Sequence, residues 1–492
     1  MRVCIIGAGV SGLATAKVFL SQGHAVTLFE QRDTLGGVWS PARRYPGVRL
    51  QTKRDYYCFS DFPMPGHYPE FPSGQQVYEY LCAYAKHFQV DQAIEVRTEV
   101  CSVVARADGK PGWRVHVRGL DTGNEGTHDY DFVVVCNGTF SQPNLPQFAG
   151  RAEFEQNGGI VLHSSDLRDL DQVAGRSVVV VGFGKSALDI AEASLARARS
   201  SAIIARGVPW KVPHRLLGRA HIMHFILSRF TEIWFPHPGM GAGRRFLHTW
   251  LRPLVNAYWR ASEFVISRQV GLKQVGLNSP DLRPDMPLRK AASCVTLTLD
   301  NLKLIRNGSI LFHRGAVARF APNGIELADG RKIDAEVVVL ATGYRQDVPF
   351  LCATEKAKLF DADGSFLLYR ALVSPGIPAM AFNGYNGVGA CQLTAEVGAI
   401  WLIGWLTGRV EMPDCAAMLA AIRQELEVRR RLLSAGAHSG SYVSPFPFGY
   451  LDQLLRDLGL PPADRHRRHL DWLFTPLQPT DYRGLLEKIQ QD

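Results

Sequence analysis

The sequence predicts an α/β protein of two Rossmann-like parallel-sheet units, the second inserted into the first, with a helical, aromatic-rich insert. Three observations predict it. Arg2–Val10 is an apolar run ending in Gly7-Ala8-Gly9-Val10-Ser11-Gly12 and leading into helical periodicity over Leu13–Gln22. Ser177–Val181 repeats the pattern, turning through Gly182-Phe183-Gly184-Lys185-Ser186-Ala187 into Leu188–Arg197. Further apolar runs at Phe132–Cys136 and Glu336–Leu340 read as buried parallel strands.

Composition sets the frame. The chain has 492 residues, 46% apolar and 21% charged, which excludes disorder, collagen and coiled coil. At roughly 150 residues per domain it has room for about three. Its 46 glycines exceed the roughly 34 that an average share of about 7% gives, so some must sit where only glycine fits. The net charge of +9 is spread along the chain, which points to no nucleic-acid partner and suits an anionic cofactor or a membrane surface. Nine cysteines form no CxxC pair, so a reduced cytosolic protein is expected, without a disulfide framework or zinc ribbon. The apolar run at Gly398–Thr407 falls short of the roughly 18 residues a membrane span needs, and Val3–Val10 reads as a strand rather than a signal peptide.

In the first turn, Gly7 permits the tight bend, Gly9 lets backbone approach a pyrophosphate, and Gly12 lets helix and strand pack closely. The helix N-terminus then offers N–H donors to phosphate. The next strand, Ala25–Glu30, ends in a carboxylate that accepts ribose hydroxyls and repels a 2′-phosphate, favouring FAD or NAD. In the second turn Gly182, Gly184 and Ala187 give GxGxxA, and Ser186 offers a hydroxyl at the helix entrance. Its second strand, Ser201–Ala205, ends in Arg206, whose guanidinium forks onto a 2′-phosphate; a solvated surface arginine is the competing reading. Opposite charges at the two selector positions imply two cofactors, FAD at the first turn and NADPH at the second.

The remaining elements follow in order. Gln31–Ala93 is rich in proline and aromatics and holds an amphipathic helix at Gln75–Phe88. Glu95–Arg106 and Trp113–Arg118 alternate as antiparallel strands around Asp108-Gly109, and Ser309–His313, Ala316–Phe320 and Gly324–Leu327 read as strands. Helices are expected at Leu393–Thr407, Cys415–Leu433 and Leu451–Leu458, followed by a polar, peripheral tail. Residues 210–275 interleave aromatics with Arg and His. Three readings stay open for them: a cover over the catalytic cleft that forms a substrate tunnel, a surface lying on a membrane, or a helical insert packed on itself. Gly239-Met240-Gly241-Ala242-Gly243 follows no strand and reads as a loop. His221/His224 and His466/His469 lack a supporting ligand set, so no metal is expected.

Gly7–Gly12, Glu30, Gly36-Gly37-Val38-Trp39, Cys58-Phe59-Ser60-Asp61-Phe62-Pro63, Gly182–Ala187 and Ala341-Thr342-Gly343-Tyr344 stand in the order seen in flavin-containing monooxygenases. The chain resembles that class B family over nearly its whole length, and is similar to the plant-type branch in Leu50-Gln51-Thr52 and the long insert. The resemblance implies that Gly36, Gly37 and Trp39 close over FAD and that Thr342-Gly343 is the linker back to the FAD domain. Ser11 and Gln392 join the FAD contacts, and His163 positions the inter-domain linker. Gln51 stands where many members carry an asparagine that holds the flavin hydroperoxide and substrate. The fingerprint FxGxxxHxxxY/F keeps Gly159 and His163 but has Asn157 and Leu167 at its aromatic positions, which weakens a Baeyer–Villiger reading.

The implied domains are 1–150 (FAD, first part), 151–335 (NADPH, with a helical insert at 210–295), 336–410 (FAD, return) and 411–492 (C-terminal helical). The implied activity is transfer of one oxygen atom of O2, through a C4a-(hydro)peroxyflavin, to a small-molecule soft nucleophile by N- or S-oxygenation. Baeyer–Villiger oxygenation of a ketone, an uncoupled NADPH oxidase and an FAD-containing redox-sensing binding protein are the alternatives. A cytoplasmic protein is expected, with peripheral membrane contact through 210–275 and the oligomeric state left open.

Overall fold

The computed structural model describes residues 1–236, 240–272, 281–290, 296–297, 300–387, 389–432 and 447–491. The chain opens with β1 (Arg2–Ile6), α1 (Val10–Ser21) and β2 (Ala25–Phe29). Then come α2 (Gly74–His87), β3 (Ile94–Glu95), an antiparallel meander of β4 (Thr98–Ala105), β5 (Trp113–Gly119) and β6 (Glu125–Tyr130), and β7 (Phe132–Val135). α2 starts where Ser73 and Gln76 form a reciprocal capping box, so its first orphan N–H groups are satisfied locally.

The second body contains β8 (Ile160–His163), β9 (Ser177–Val181), α3 (Lys185–Ser194) and β10 (Ser200–Ala205). The insert follows with α4 (Arg229–Ile233), α5 (Ala242–Thr249) and α6 (Arg252–Val270). Strands resume with β11 (Ile310–Arg314), a second meander of β12 (Val317–Ala321), β13 (Gly324–Leu327) and β14 (Lys332–Asp334), and β15 (Val337–Leu340). β16 (Met380–Phe382), α7 (Cys391–Leu406), α8 (Cys415–Leu432), α9 (Pro447–Asp457) and α10 (His469–Phe474) complete the labelled elements.

Two five-stranded parallel sheets result, ordered β16-β7-β1-β2-β3 and β11-β10-β9-β15-β8. Both are buried on two faces, which is why their strands read as unbroken apolar runs. In β1, Val3 and Ile5 pack with α1 and α7, while Cys4 and Ile6 face the first meander. In β9, Val178 and Val180 pack toward α3 and the insert, while Val179 faces the second meander with Phe320 and Leu327. α7 is buried from Gln392 to Gly404, with its single charged residue, Glu396, paired with Lys17 at 3.2 Å, as befits a core helix. No described helix is long and apolar enough to cross a membrane.

All of the second sheet lies between two strands of the first, β7 and β16, so the insertion is continuous. The outbound and returning chains pair antiparallel, Gln142 with Arg345 and Pro143 with Tyr344. The return comes later than the expected residue 336: Val337–Leu340 pairs with β9 and β8 and so belongs to the second sheet. A four-residue run of Val and Leu fits any doubly covered parallel sheet, and its partners decide.

The C-terminal tail is a second correction. It was expected to be peripheral, yet Leu477, Tyr482 and Leu485 are buried in the core of the first body, and the Leu477 N–H donates to the Leu227 carbonyl at 2.8 Å. Three apolar anchors in a polar sequence suffice to dock it. Gly239 of the Gly239–Gly243 stretch, Leu433 at the expected end of α8, and Cys294 lie outside the described residues.

Candidate active site

The first turn is shaped by close contacts. Gly7 adopts φ +105°, and a Cβ there would stand 2.8 Å from the Cys136 carbonyl oxygen at the end of β7. At Gly12 a Cβ would stand 1.9 Å from the Gly7 carbonyl oxygen, so α1 can cross this close to β1 only with glycine. Gly9 begins α1 without a side-chain cap, leaving the first helical N–H groups for a ligand. Gly37 lies over it, where a Cβ would be 3.1 Å from the Gly9 Cα, and the Gly36 N–H is tied to the Ala8 carbonyl at 2.8 Å. Glu30 is buried just after β2, and its carboxylate accepts the Ala8 and Arg32 N–H groups at 2.9 Å each.

The second turn repeats the first with one relaxation. Gly182 has φ +127°, and a Cβ there would stand 2.4 Å from the Ala341 carbonyl oxygen, just past β15. The position equivalent to Gly12 is Ala187, fully buried, whose methyl group the wider approach accommodates. Gly184 begins α3 without a side-chain cap, is exposed, and has nothing within 4 Å of where a Cβ would be. Arg206 is exposed at the end of β10.

His163 ends β8 and stands at the crossover between the bodies. Its Nε2–H donates to the Gly343 carbonyl at 3.0 Å, and its Nδ1 accepts the Ser165 N–H at 3.2 Å. Burial pushes its pKa below the ordinary value, so the neutral ring is the folded form. Thr342 Oγ1 donates to the Asn144 carbonyl at 2.6 Å, and the Asn144 N–H donates to the Gly343 carbonyl at 2.9 Å.

A cavity of about 1150 Å³ connects these parts. Of the residues expected from sequence, Gly7, Gly9, Ser11, Glu30, Gly36, Gly37, Trp39, Gln51 and Ser186 line it. Gly12, Gly182, Ala187, Thr342, Gly343 and His163 instead shape the backbone behind it, and Gly184 and Arg206 lie outside its lining. Gln392 is buried at the start of α7, also outside the lining. Its Oε1 accepts from Cys391 Sγ at 3.3 Å, while its Nε2 lies beside the Tyr57 hydroxyl without a hydrogen bond of ordinary geometry.

Sequence reasoning missed several lining groups. Tyr57 Oη accepts the Trp39 Nε1–H at 3.1 Å and lies 3.3 Å from Cys391 Sγ. Asn137 accepts from Tyr385 Oη at 2.6 Å and donates to the Asp347 carbonyl at 2.7 Å. Asn137, Tyr57 and Cys391 line the cavity together with Arg43, Arg44, Arg49 and Lys185. The available signal was that Tyr57 lies in the aromatic segment shared with Gln51, and that a buried tyrosine seeks a hydrogen-bond partner.

The insert supplies the far wall. Phe225, Phe230, Phe235, Tyr258, Trp259 and Ile266 all line the cavity, which supports the cover reading of residues 210–275. The opposite side of α4 is anchored to the C-terminal segment. Arg229 donates to Asp452 at 2.6 Å and to the buried Asp464 at 2.7 Å, and lies over the rings of Phe448 and Trp472. Glu232 accepts the Phe448 and Gly449 N–H groups that open α9; burial pushes its carboxyl up to about 7. Among the described residues no group of three His, Cys, Asp or Glu side chains is arranged to hold a metal ion.

The donor set fits two dinucleotides: two uncapped helix N-termini behind glycine turns, one beside a carboxylate and the other near cations. Comparison with known proteins agrees. Residues 1–463 match the model of a family described as flavin-binding monooxygenase-like. A probable flavin-containing monooxygenase 1 of Arabidopsis thaliana is 31% identical, over 98% of this chain and 96% of that protein. The flavin-containing monooxygenase 5 of Oryctolagus cuniculus is 29% identical, over 90% of this chain and 80% of its own. Among solved structures, S-allyl-L-cysteine S-oxygenase from Allium sativum shares the fold with a TM-score of 0.62 at 19% identity, covering 100% of this chain and 92% of that one. A steroid monooxygenase bound to NADP shares it with a TM-score of 0.66 at 21% identity, covering 93% and 97%.

Proposed function

Because the chain belongs to the flavin-binding monooxygenase-like family and is therefore an oxidoreductase, we propose that it holds FAD at the Gly7–Gly12 turn and NADPH at the Gly182–Ala187 turn. It then transfers one oxygen atom of O2 to a soft nucleophile by N- or S-oxygenation. The observation that carries this reading is that the first turn, the start of α3 and an apolar wall from the insert meet at one cavity. FAD, when bound and reduced by NADPH, supplies the two-electron activation of O2.

The chain's own residues position and protect. The Val10 and Ser11 N–H groups, at the uncapped start of α1, would hold the pyrophosphate, and Glu30, already fixed by two N–H groups, would present its carboxylate to the ribose. Gly36 and Gly37 bring backbone against Gly9, and Trp39, braced by Tyr57, closes that side. Gln51 lies in the wall beside Leu50, whose N–H is fixed to the Pro72 carbonyl at 2.9 Å, and its amide orients the reacting oxygen and the substrate. At the second turn Ser186 meets a phosphate and Arg206 the 2′-phosphate, while His163, Thr342 and Gly343 hold the crossover and Gln392 backs the flavin pocket. The aromatic wall excludes water. Baeyer–Villiger oxygenation is the second reading, and an apolar wall suits a ketone as well.

Exposed apolar and basic side chains along α5, α6 and the turn between them support peripheral contact with a lipid surface: Phe246, Leu254, Phe264 (64% exposed) and Trp250 (73% exposed) are exposed, as are Arg245, Arg252 and Arg260.

Turnover under ¹⁸O2 with NADPH and a thioether tests the activity. One ¹⁸O atom in the product per NADPH oxidised is expected, and Gln51→Ala should divert NADPH consumption to hydrogen peroxide. Consumption that yields only peroxide in the unaltered protein would overturn the reading.

A further inference from the structure

Residues 45–49 of the first body lie across α3 of the second. Tyr45 Oη donates to the Asp189 carboxylate at 3.1 Å. Gly47 has φ +82°, and a Cβ there would stand 3.1 Å from the Ala193 Cβ and 3.5 Å from the Asp189 carbonyl oxygen, so bare backbone packs on the helix. Asp189 is buried one turn into α3 and pairs with Lys185, the first residue of that helix. Burial pushes the Asp189 carboxyl above its ordinary value, and Lys185, Tyr45 and Arg49 oppose that rise.

Two cations, Arg49 and Lys185, thus approach Asp189 from opposite bodies, and both line the cavity. The other two arginines of the lining are engaged where they stand. Arg43 donates to the Phe140 carbonyl and lies over the Tyr344 ring, and Arg44 donates to Gln75 and to the Trp39 carbonyl. The exposed Arg49 guanidinium makes no hydrogen bond or ion pair with a described residue. Lys185 is paired with Asp189 alone among the described residues, which leaves two of its three ammonium donors for a ligand. One carboxylate stands against two cations and the uncapped start of α3, so this end of the cavity is matched to an anion.

Resting on the placement of NADPH at the second turn and extending it, we propose that Arg49 and Lys185 clamp the pyrophosphate of that dinucleotide from opposite bodies. Tyr45 is then the positioning residue for Arg49, and Asp189 the one for Lys185. Lys185 and Ser186 open α3 directly behind the glycine turn, where a pyrophosphate meets the helix N-terminus. The 2′-phosphate has a separate partner in Arg206, which lies at the end of β10 and outside the cavity lining. A guanidinium forks onto two phosphate oxygens, and an ammonium adds a point charge beside it. The second nucleotide thereby gains a contact on the first body, which its own glycine turn does not provide.

The test is calorimetric binding of NADP⁺ and of NAD⁺ to the FAD-loaded protein, with flavin content read from visible absorbance. Arg49→Ala should keep its flavin and raise both Kd values by the same factor, about tenfold, because both ligands carry the pyrophosphate. Arg49→Lys keeps the charge without the fork and should lose about threefold. Tyr45→Phe should cost about fourfold in the unaltered protein and add almost nothing to Arg49→Ala, since its effect runs through that arginine. An equal cost in both backgrounds would make Tyr45 merely structural and count against the clamp. Unchanged Kd values in Arg49→Ala, a loss confined to NADP⁺, or a fall in bound flavin would each overturn the proposal; the last two would assign Arg49 to the 2′-phosphate or to the first nucleotide. Gly184→Ala separates the proposal from the placement beneath it. If that variant weakens both ligands and Arg49→Ala does not, the clamp fails and the second turn stands. If neither variant changes a Kd, or the unaltered protein binds neither ligand, the placement of the dinucleotide fails and the clamp falls with it.

Discussion

The two glycine turns are the same device built to different tolerances. Gly7 and Gly182 both lie against the carbonyl that ends the neighbouring parallel strand, Cys136 in one case and Ala341 in the other. The helices behind them differ. α1 runs so close to β1 that Gly12 has no room for a methyl group, while α3 accepts Ala187. The entrances differ too, since Gly37 covers Gly9 and none of the described residues covers Gly184. Under the proposed function, the tight, covered turn suits a nucleotide retained through many turnovers, and the open one suits a nucleotide that leaves after each.

The largest effect should come from Gly12→Ala, whose methyl group would collide with the Gly7 backbone. Purified protein is expected to carry almost no flavin by its visible absorbance; normal flavin content would break the comparison. Gly184→Ala has space and should fold with full flavin content. Its added methyl group stands where a pyrophosphate would approach, so the Kd for NADPH should rise about tenfold, equivalent to about 1.4 kcal/mol. Arg206→Ala should narrow the preference for NADPH over NADH about tenfold, measured as a ratio of kcat/KM values; an unchanged ratio would return Arg206 to the role of a solvated surface arginine.

The smallest effect concerns the crossover. Burial lowers the pKa of His163, so the unfolded chain takes up a proton near the ordinary value of 6.5 while the folded chain resists it. Stability is therefore lost as pH falls below about 6.5 toward the folded value. His163→Gln should flatten part of that loss in thermal midpoints compared between pH 7.5 and 5.5. Equal slopes in both proteins would show that the ring is not a titrating contact.

How much of this the sequence disclosed depends on distance along the chain. Gly7, Gly9, Gly12 and Glu30 sit within one β-α-β unit, and the spacing that bends the backbone also reveals it. Val337–Leu340 was legible as a strand, but its sheet was not, because burial on both faces removes any alternation that would identify a partner. The Arg229–Asp452 and Arg229–Asp464 pairs join residues 223 and 235 positions apart, and nothing local marks them. Leu477, Tyr482 and Leu485 are not legible as anchors because the polar residues around them dominate any window average.

α4 divides its labour along one turn. Phe230 and Thr231 face the cavity, while Arg229 and Glu232 face the C-terminal segment and fix the helix in place. Removing one partner of such a buried ion pair costs about 3–5 kcal/mol, so the anchors are not free to vary. The cavity-facing positions carry no ion pair, though Phe230 also stacks on Phe474 of α10 with centroids 4.8 Å apart. Selection for new substrates can therefore work on one side of this helix while its ion-pair anchors are inherited unchanged.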